Sequence, residues 1–90
     1  VFEILYHDDV VSKDIPKLGS TTKAKIGRAI ESKLMTRPEV YGKPLRRSLK
    51  NYRKLRVGDY RIIFRIDNET VKIFVIQHRS EVYGSTSKRL

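Results

Sequence analysis

The chain has 90 residues, 20 Lys and Arg against 10 Asp and Glu for a formal net charge of +10, and no cysteine. Its length fits one domain, residues 1–90, and 39% hydrophobic residues are enough for a single compact core. A disulfide framework and thiolate chemistry are excluded, and no apolar run approaches the ~20 residues of a membrane-spanning helix.

Phe2 to Tyr6, short and apolar, predicts a first strand. His7, Asp8 and Asp9 offer helix-start chemistry, with carboxylates near the positive end of a helix dipole. Val11, Ile15 and Leu18 form a helical stripe that Pro16 interrupts, so a helix here is short, kinked or ended near Pro16. Gly19 supplies a stop, and Ser20, Thr21 or Thr22 a new N-cap. Ile26, Ile30 and Leu34, widened by Ala29, give a second helix from Lys23 to Met35 an inward face, and Pro38 ends it. Glu39 to Asn51 reads as a loop with Leu45 and Leu49 tucked in. Two strands follow, Arg53–Val57 and Tyr60–Ile66, with Gly58 in their turn. Asp67-Asn68-Glu69 is a second turn, and the β-branched run Thr70 to His78 is a central or last strand. The tail from Ser80 is mixed. The order β-α-α-β-β-β predicts an α+β fold: two N-terminal helices packed on one face of an antiparallel β-sheet.

The stretch from Tyr52 to Ile66 alternates two chemistries with the period of a strand. Tyr60, Ile62, Phe64 and Ile66 point one way, while Arg61, Ile63 and Arg65 point the other. Just before them, Leu55 and Val57 are apolar and Lys54 and Arg56 basic. One face can lie on a core while the other presents a row of cations. The charge is concentrated there. Lys43 to Arg65 holds nine bases and one acid, net +8, whereas the segments before and after are each net +1. Nucleic acid or an acidic protein partner is implied, against the plainer reading of a solvated face.

The only histidines, His7 and His78, fall on different elements, so neither a metal site nor a cofactor is expected, the more so because no Gly-rich phosphate loop precedes a helix. Cleavage of RNA by its own 2′-hydroxyl suits a basic, histidine-poor face, since the nucleophile belongs to the substrate. The protein must supply a base for the 2′-OH, cations around the phosphorane and an acid for the departing 5′-oxygen. Composition and spacing stop at a basic sheet face. An inactive RNA- or ribosome-binding domain fits them too. The opening Val1-Phe2-Glu3-Ile4-Leu5 lacks the basic start and apolar body of a signal peptide, and a cytoplasmic protein is expected.

At Leu55-Arg56-Val57-Gly58-Asp59-Tyr60-Arg61-Ile62-Ile63-Phe64 and His78-Arg79-Ser80-Glu81-Val82-Tyr83 the chain resembles the RelE/ParE superfamily of bacterial toxins. Lys13-Asp14-Ile15-Pro16-Lys17-Leu18 and Tyr41-Gly42-Lys43-Pro44-Leu45 are similar to it as well. The resemblance implies a compact α+β fold and one of two activities. RelE-like members cut mRNA in the ribosomal A site, leaving a 2′,3′-cyclic phosphate and a 5′-hydroxyl; ParE-like members are non-enzymatic DNA gyrase poisons. The basic strand and the tail favour the RelE-like branch. By this resemblance Lys54 and Arg56 hold substrate phosphates, Arg61 stabilises the phosphorane, Tyr83 orients or activates the 2′-OH, and Arg79 or His78 serves near the leaving oxygen. Arg46, Arg47, Lys50, Arg53 and Arg65 are the implied RNA-binding cations. The chain departs from well-known members in running straight from Ile76 to Arg79 without an extra basic stretch, and in having Tyr52 where some carry Lys. The implied partners are the ribosome, mRNA and a RelB-like antitoxin that covers the basic face or displaces the C-terminal segment.

Overall fold

A computed structural model describes residues 1–45 and 51–90. Its centre is the run of alternating chemistry, which folds into two strands, β3 (Tyr52–Val57) and β4 (Tyr60–Asp67), hydrogen-bonded along their length. The turn between them works because Gly58 takes φ +58, a left-handed conformation that costs a residue without a Cβ nothing. The next turn uses Asn68 at φ 56, which a short polar side chain tolerates. It leads into β5 (Thr70–His78).

The described residues form a sheet in the order β1-β5-β4-β3-β2, where β1 is Glu3–Tyr6 and β2 is the short Lys43–Pro44. Strands β3 to β5 form the expected antiparallel meander, and β2, in a stretch expected to be loop, pairs antiparallel with β3. β1 adds a parallel partner on β5, with Glu3 opposite Thr70 and Tyr6 opposite Ile73. Parallel pairing requires a crossover between the strands, and the helices between β1 and β2 supply part of it.

Those helices cover one face. Val10–Asp14 is a single wide turn in which Ile15 N–H reaches Val10 O, and Ile15–Lys17 tightens to a 3₁₀ turn at Pro16. Pro16 thus ends the segment, as its missing N–H demands. Helix α1 (Ser20–Ala29) starts after Gly19, whose carbonyl accepts the Lys23 N–H; the hydroxyl residues expected at the N-cap sit inside the first turn instead. The chain continues through a wide turn, Ile30–Leu34, and the expected stripe of Ile26, Ile30 and Leu34 is buried. It meets Leu55, Ile62, Phe64, Val71, Ile73 and Ile76, with Tyr60 and Ile66 partly buried around them.

The expected loop from Glu39 contains structure. Helix α2 (Pro38–Tyr41) starts at the proline and leads into β2. Leu45 is partly buried, as expected, while Leu49 lies outside the described residues. The tail, read as mixed, forms a helix, α3 (Val82–Arg89), on the sheet's other face. There Val82 joins Ile63, Phe74 and Val75 in a second, smaller core. Phe74 reaches that face because the β4–β5 register slips beside Ile63, where Ile63 pairs with Val75 and Phe64 with Ile73.

Candidate active site

Strand pairing decides which cations share a surface. Residues directly opposite in an antiparallel ladder project to the same face. Lys43 lies opposite Lys54, Arg56 opposite Arg61, and Arg65 opposite Lys72. Their neighbours Leu55, Ile62 and Phe64 are buried under α1, so all six cations belong to the α3 face. Three like-charged pairs, each directly opposed, destabilise a sheet by about 0.2–1 kcal/mol apiece. A face arranged this way is relieved by an anion laid along it.

The surroundings of each cation differ. Arg61 Nη1 donates to Gly58 O at 3.0 Å and to Tyr60 O at 2.9 Å, which steers the guanidinium toward the hairpin end. Lys54 Nζ donates to the Tyr83 hydroxyl at 3.0 Å and lies 5.7 Å from the centroid of that ring. Tyr83 is 54% exposed, so its hydroxyl faces Lys54 and solvent rather than a core. Lys33, Tyr41, Lys43, Lys54, Arg56 and Arg61 line a groove of about 330 Å³ along the outer edge of β3. Nothing local in the sequence places Lys33 or Lys43 beside Lys54. Only the register of β2 on β3 and the end of the Ile30–Leu34 turn bring them there.

Arg65 is a different kind of cation. Its Nε lies 2.9 Å from Asp67 Oδ2, Nη1 donates to Tyr52 Oη at 3.1 Å, and the guanidinium lies over the Tyr52 and Phe74 rings at 5.5 and 5.4 Å. The hydrogen bond it donates to the Asp67 carboxylate pushes its pKa further up, outweighing burial. Arg53 faces the α1 side, paired with Phe64, and donates to Gly42 O at 2.8 Å and Glu39 O at 3.3 Å. It ties β3 to α2. Arg46, Arg47 and Lys50 lie outside the described residues.

The structure does not bring His78 to the Lys54 cluster. His78 pairs with Tyr60, which puts it on the α1 face, its ring edge-on to Tyr60 at 5.6 Å between centroids. Its Nδ1 accepts the Ser80 N–H at 3.2 Å and lies 2.9 Å from Ser80 Oγ. Arg79 sits beyond the end of β5, where its N–H donates to Asp59 O at 2.8 Å and its Nε lies 3.9 Å from Asp59 Oδ1. Both of those side chains are well exposed, and such a pair contributes little.

A buried ion pair lies away from the cationic groove, between Asp14 and Arg89. Asp14 Oδ2 accepts from Arg89 Nη1 at 2.6 Å and Oδ1 from Nη2 at 2.9 Å, with side chains 0% and 8% exposed. Asp14 also accepts the Ile76 N–H and Gln77 Nε2, each at 2.9 Å, on the stretch of β5 beyond the end of β1. Burial pushes the Asp14 carboxyl up, but the hydrogen bonds from Arg89, Ile76 and Gln77 win and hold it below its ordinary value. A lone Asp in a broken helical stripe and an Arg near the chain end give no sequence signal of this pairing.

The chain matches the family model of the ParE toxin of the type II toxin–antitoxin system parDE over residues 5–83. It is similar to Toxin RelG of Mycobacterium tuberculosis H37Rv, 37% identical over 73 residues covering 79% of this chain and 84% of that one. Similarity to the mRNA interferase toxin RelE of Escherichia coli K12 is 33% over 88 residues, 92% of each chain. Among solved structures, the fold matches a chain of the toxin–antitoxin complex RelBE2 from Mycobacterium tuberculosis with a TM-score of 0.72 and 31% identity, covering 87% of this chain and 98% of that one.

Proposed function

This chain belongs to the RelE/ParE family and is a type II toxin, and on that premise we propose that it is a ribosome-dependent mRNA endoribonuclease. The observation that carries the reading is the placement of Tyr83, its hydroxyl 3.0 Å from Lys54 Nζ, on the face where Arg56 and Arg61 oppose each other. In the proposed reaction the 2′-OH gives its proton to a base, its oxygen bonds the adjacent phosphorus, and the P–O5′ bond breaks. The products are a 2′,3′-cyclic phosphate and a 5′-hydroxyl, so the departing oxygen must gain a proton. Lys54 and Arg56 bind the phosphate. Arg61 stabilises the charge that grows on the phosphorane oxygens, which fixed guanidinium donors do best because they need no reorganisation. Tyr83 orients or deprotonates the 2′-OH, with Lys54 stabilising its oxyanion. The acid for the 5′-oxygen belongs at the Arg79 end of the site, where the β3–β4 turn meets the end of β5.

The reading extends to partners. E. coli RelE is named an mRNA interferase, and the RelBE2 structure is a toxin–antitoxin complex. A cognate antitoxin with an acidic segment suits a face of opposed cations and a net charge of +10, and would be captured by electrostatic steering. Translation in the cytoplasm is where such an enzyme acts. The test is mapping of mRNA 5′ ends on purified ribosomes. Codon-register cuts are expected with the wild-type chain, are lost with Arg61→Ala, and are strongly slowed but still measurable at high enzyme concentration with Tyr83→Phe. The match to the ParE toxin model favours a second reading, a gyrase poison. Gyrase-trapped DNA breaks with intact ribosomal mRNA would establish that one instead.

A further inference from the structure

The buried ion pair at the end of α3 has a bearing on the reaction. Helix α3 spans eight residues, and its interior holds Gly84, Ser85, Thr86 and Ser87, all poor helix formers. Two turns of such sequence do not stand alone in water, so tertiary contacts must hold them. Val82, Thr86 and Arg89 fall at i, i+4 and i+7 and form the buried stripe of the helix. The last member of that stripe is charged where an apolar side chain would serve packing better.

Replacing a buried ion pair by apolar residues is often neutral or stabilising, so net stability alone does not account for it. The geometry the pair imposes is another matter. Arg89 grips Asp14 through two parallel bonds and donates through Nη1 to Phe74 O at 3.0 Å, with Asp9 Oδ2 a further 3.6 Å from its Nε. A bidentate contact fixes direction as well as distance. Asp14 is itself fixed by Ile76 N–H and by Gln77, the residue paired across from Arg61. Tyr83 stands six residues before Arg89, about 9 Å along the helix and about a third of a turn away around it. Holding Arg89 therefore sets both the seat of the helix and its rotation, and rotation is what aims Tyr83 at Lys54.

We propose that Asp14 and Arg89 are positioning residues, a buried clamp that holds Tyr83 against Lys54 through α3. The proposal rests on the reading of Tyr83 as a participant in cleavage. If α3 is held only for stability, losses from Arg89 and Tyr83 substitutions are independent and add. If the clamp acts through Tyr83, they do not.

The experiment compares Arg89→Ala, Arg89→Lys, Tyr83→Phe and Arg89→Ala/Tyr83→Phe in ribosome-bound mRNA cleavage, with amide hydrogen exchange on each protein. Arg89→Ala is expected to lower kcat by about tenfold or more with KM changed by less than about threefold, the pattern of lost positioning rather than lost binding. The double variant should be no slower than Tyr83→Phe alone. Amides of Val82 to Leu90 should exchange at least about tenfold faster in Arg89→Ala, and by a larger factor than those of β3, β4 and β5, which report only the global loss of stability from an unpaired Asp14. Arg89→Lys, which keeps the charge and loses the fork, should recover part of both effects and stands in if Arg89→Ala does not fold. Additive losses, or an α3 as protected without the guanidinium as with it, would overturn the clamp. Should the wild-type chain cut no mRNA, the proposed function fails, while the exchange measurement still decides whether the pair holds α3.

Discussion

Replacing Gly42 with Ala adds one methyl at a place where the fold has no room for it. Gly42 is buried between α2 and β2 with ordinary extended dihedrals, φ −87 and ψ 138, so backbone strain is not at issue. A Cβ built there would lie 2.9 Å from Phe64 Cε1, closer still to Cζ, and 3.2 Å from Arg53 Cβ. Phe64 is fully buried in the main core, so its ring can retreat only by displacing neighbours. Overpacking of this kind costs about 1–3 kcal/mol. The lower entropy of the unfolded chain returns about 0.4–1 kcal/mol of that. A net loss of about 1–2 kcal/mol follows, which lowers Tm by about 5–15 °C for a chain of this size. Gly27→Ala is the matched control. Gly27 lies inside α1 with nothing within 4 Å of an added Cβ, so the same methyl should stabilise by about 0.5–1 kcal/mol. Urea unfolding followed by far-UV circular dichroism reads both, and the m-value should not change. A Gly42→Ala protein as stable as wild type, or a Gly27→Ala protein less stable, would refute the packing argument.

Acid should act through Asp14. Its carboxyl is held below the ordinary value in the folded chain, so its stabilisation is complete above about pH 4, the unfolded pKa, and is lost as pH falls through the folded one. Asp14→Asn should flatten the stability profile below about pH 4 and lower stability at pH 7, as chemical denaturation across pH would show; an unchanged acid limb would contradict this. Relieving like-charge opposition should stabilise the sheet. Arg56→Thr is expected to gain about 0.2–1 kcal/mol in unfolding measurements while weakening RNA binding, and a loss of stability would mean the pair is already neutralised. Binding to single-stranded RNA should show a steep log–log salt dependence, and Lys54→Ala should reduce its slope by about 0.7, measurable by fluorescence anisotropy. A slope identical to wild type would remove Lys54 from the phosphate contacts.

Period-two alternation and local chain chemistry made much of the fold legible before any tertiary contact was known. The alternation across Tyr60 to Ile66 separated a core face from a cationic one, and the ladder agrees, with Ile62 and Phe64 buried and Arg61 on the far side. Gly58, Pro16 and the Ile26, Ile30 and Leu34 stripe marked a turn, a break and a helix face, because each acts through backbone geometry or a repeat within a few residues. The family motifs named the toxin fold. What stayed hidden depends on pairing between distant segments. Parity and register, not composition, put His78 on the α1 face, turned Arg53 to the Gly42 carbonyl and brought Lys43 beside Lys54. The tail was least legible. Its run of Gly, Ser and Thr has little helical preference of its own, and α3 exists because Val82 finds a second core and Arg89 finds Asp14, 75 residues earlier. A contact across that separation leaves no local trace. Sequence therefore determined that this chain has a cationic sheet face. Tertiary structure decided which cations share it and what brings Tyr83 to them.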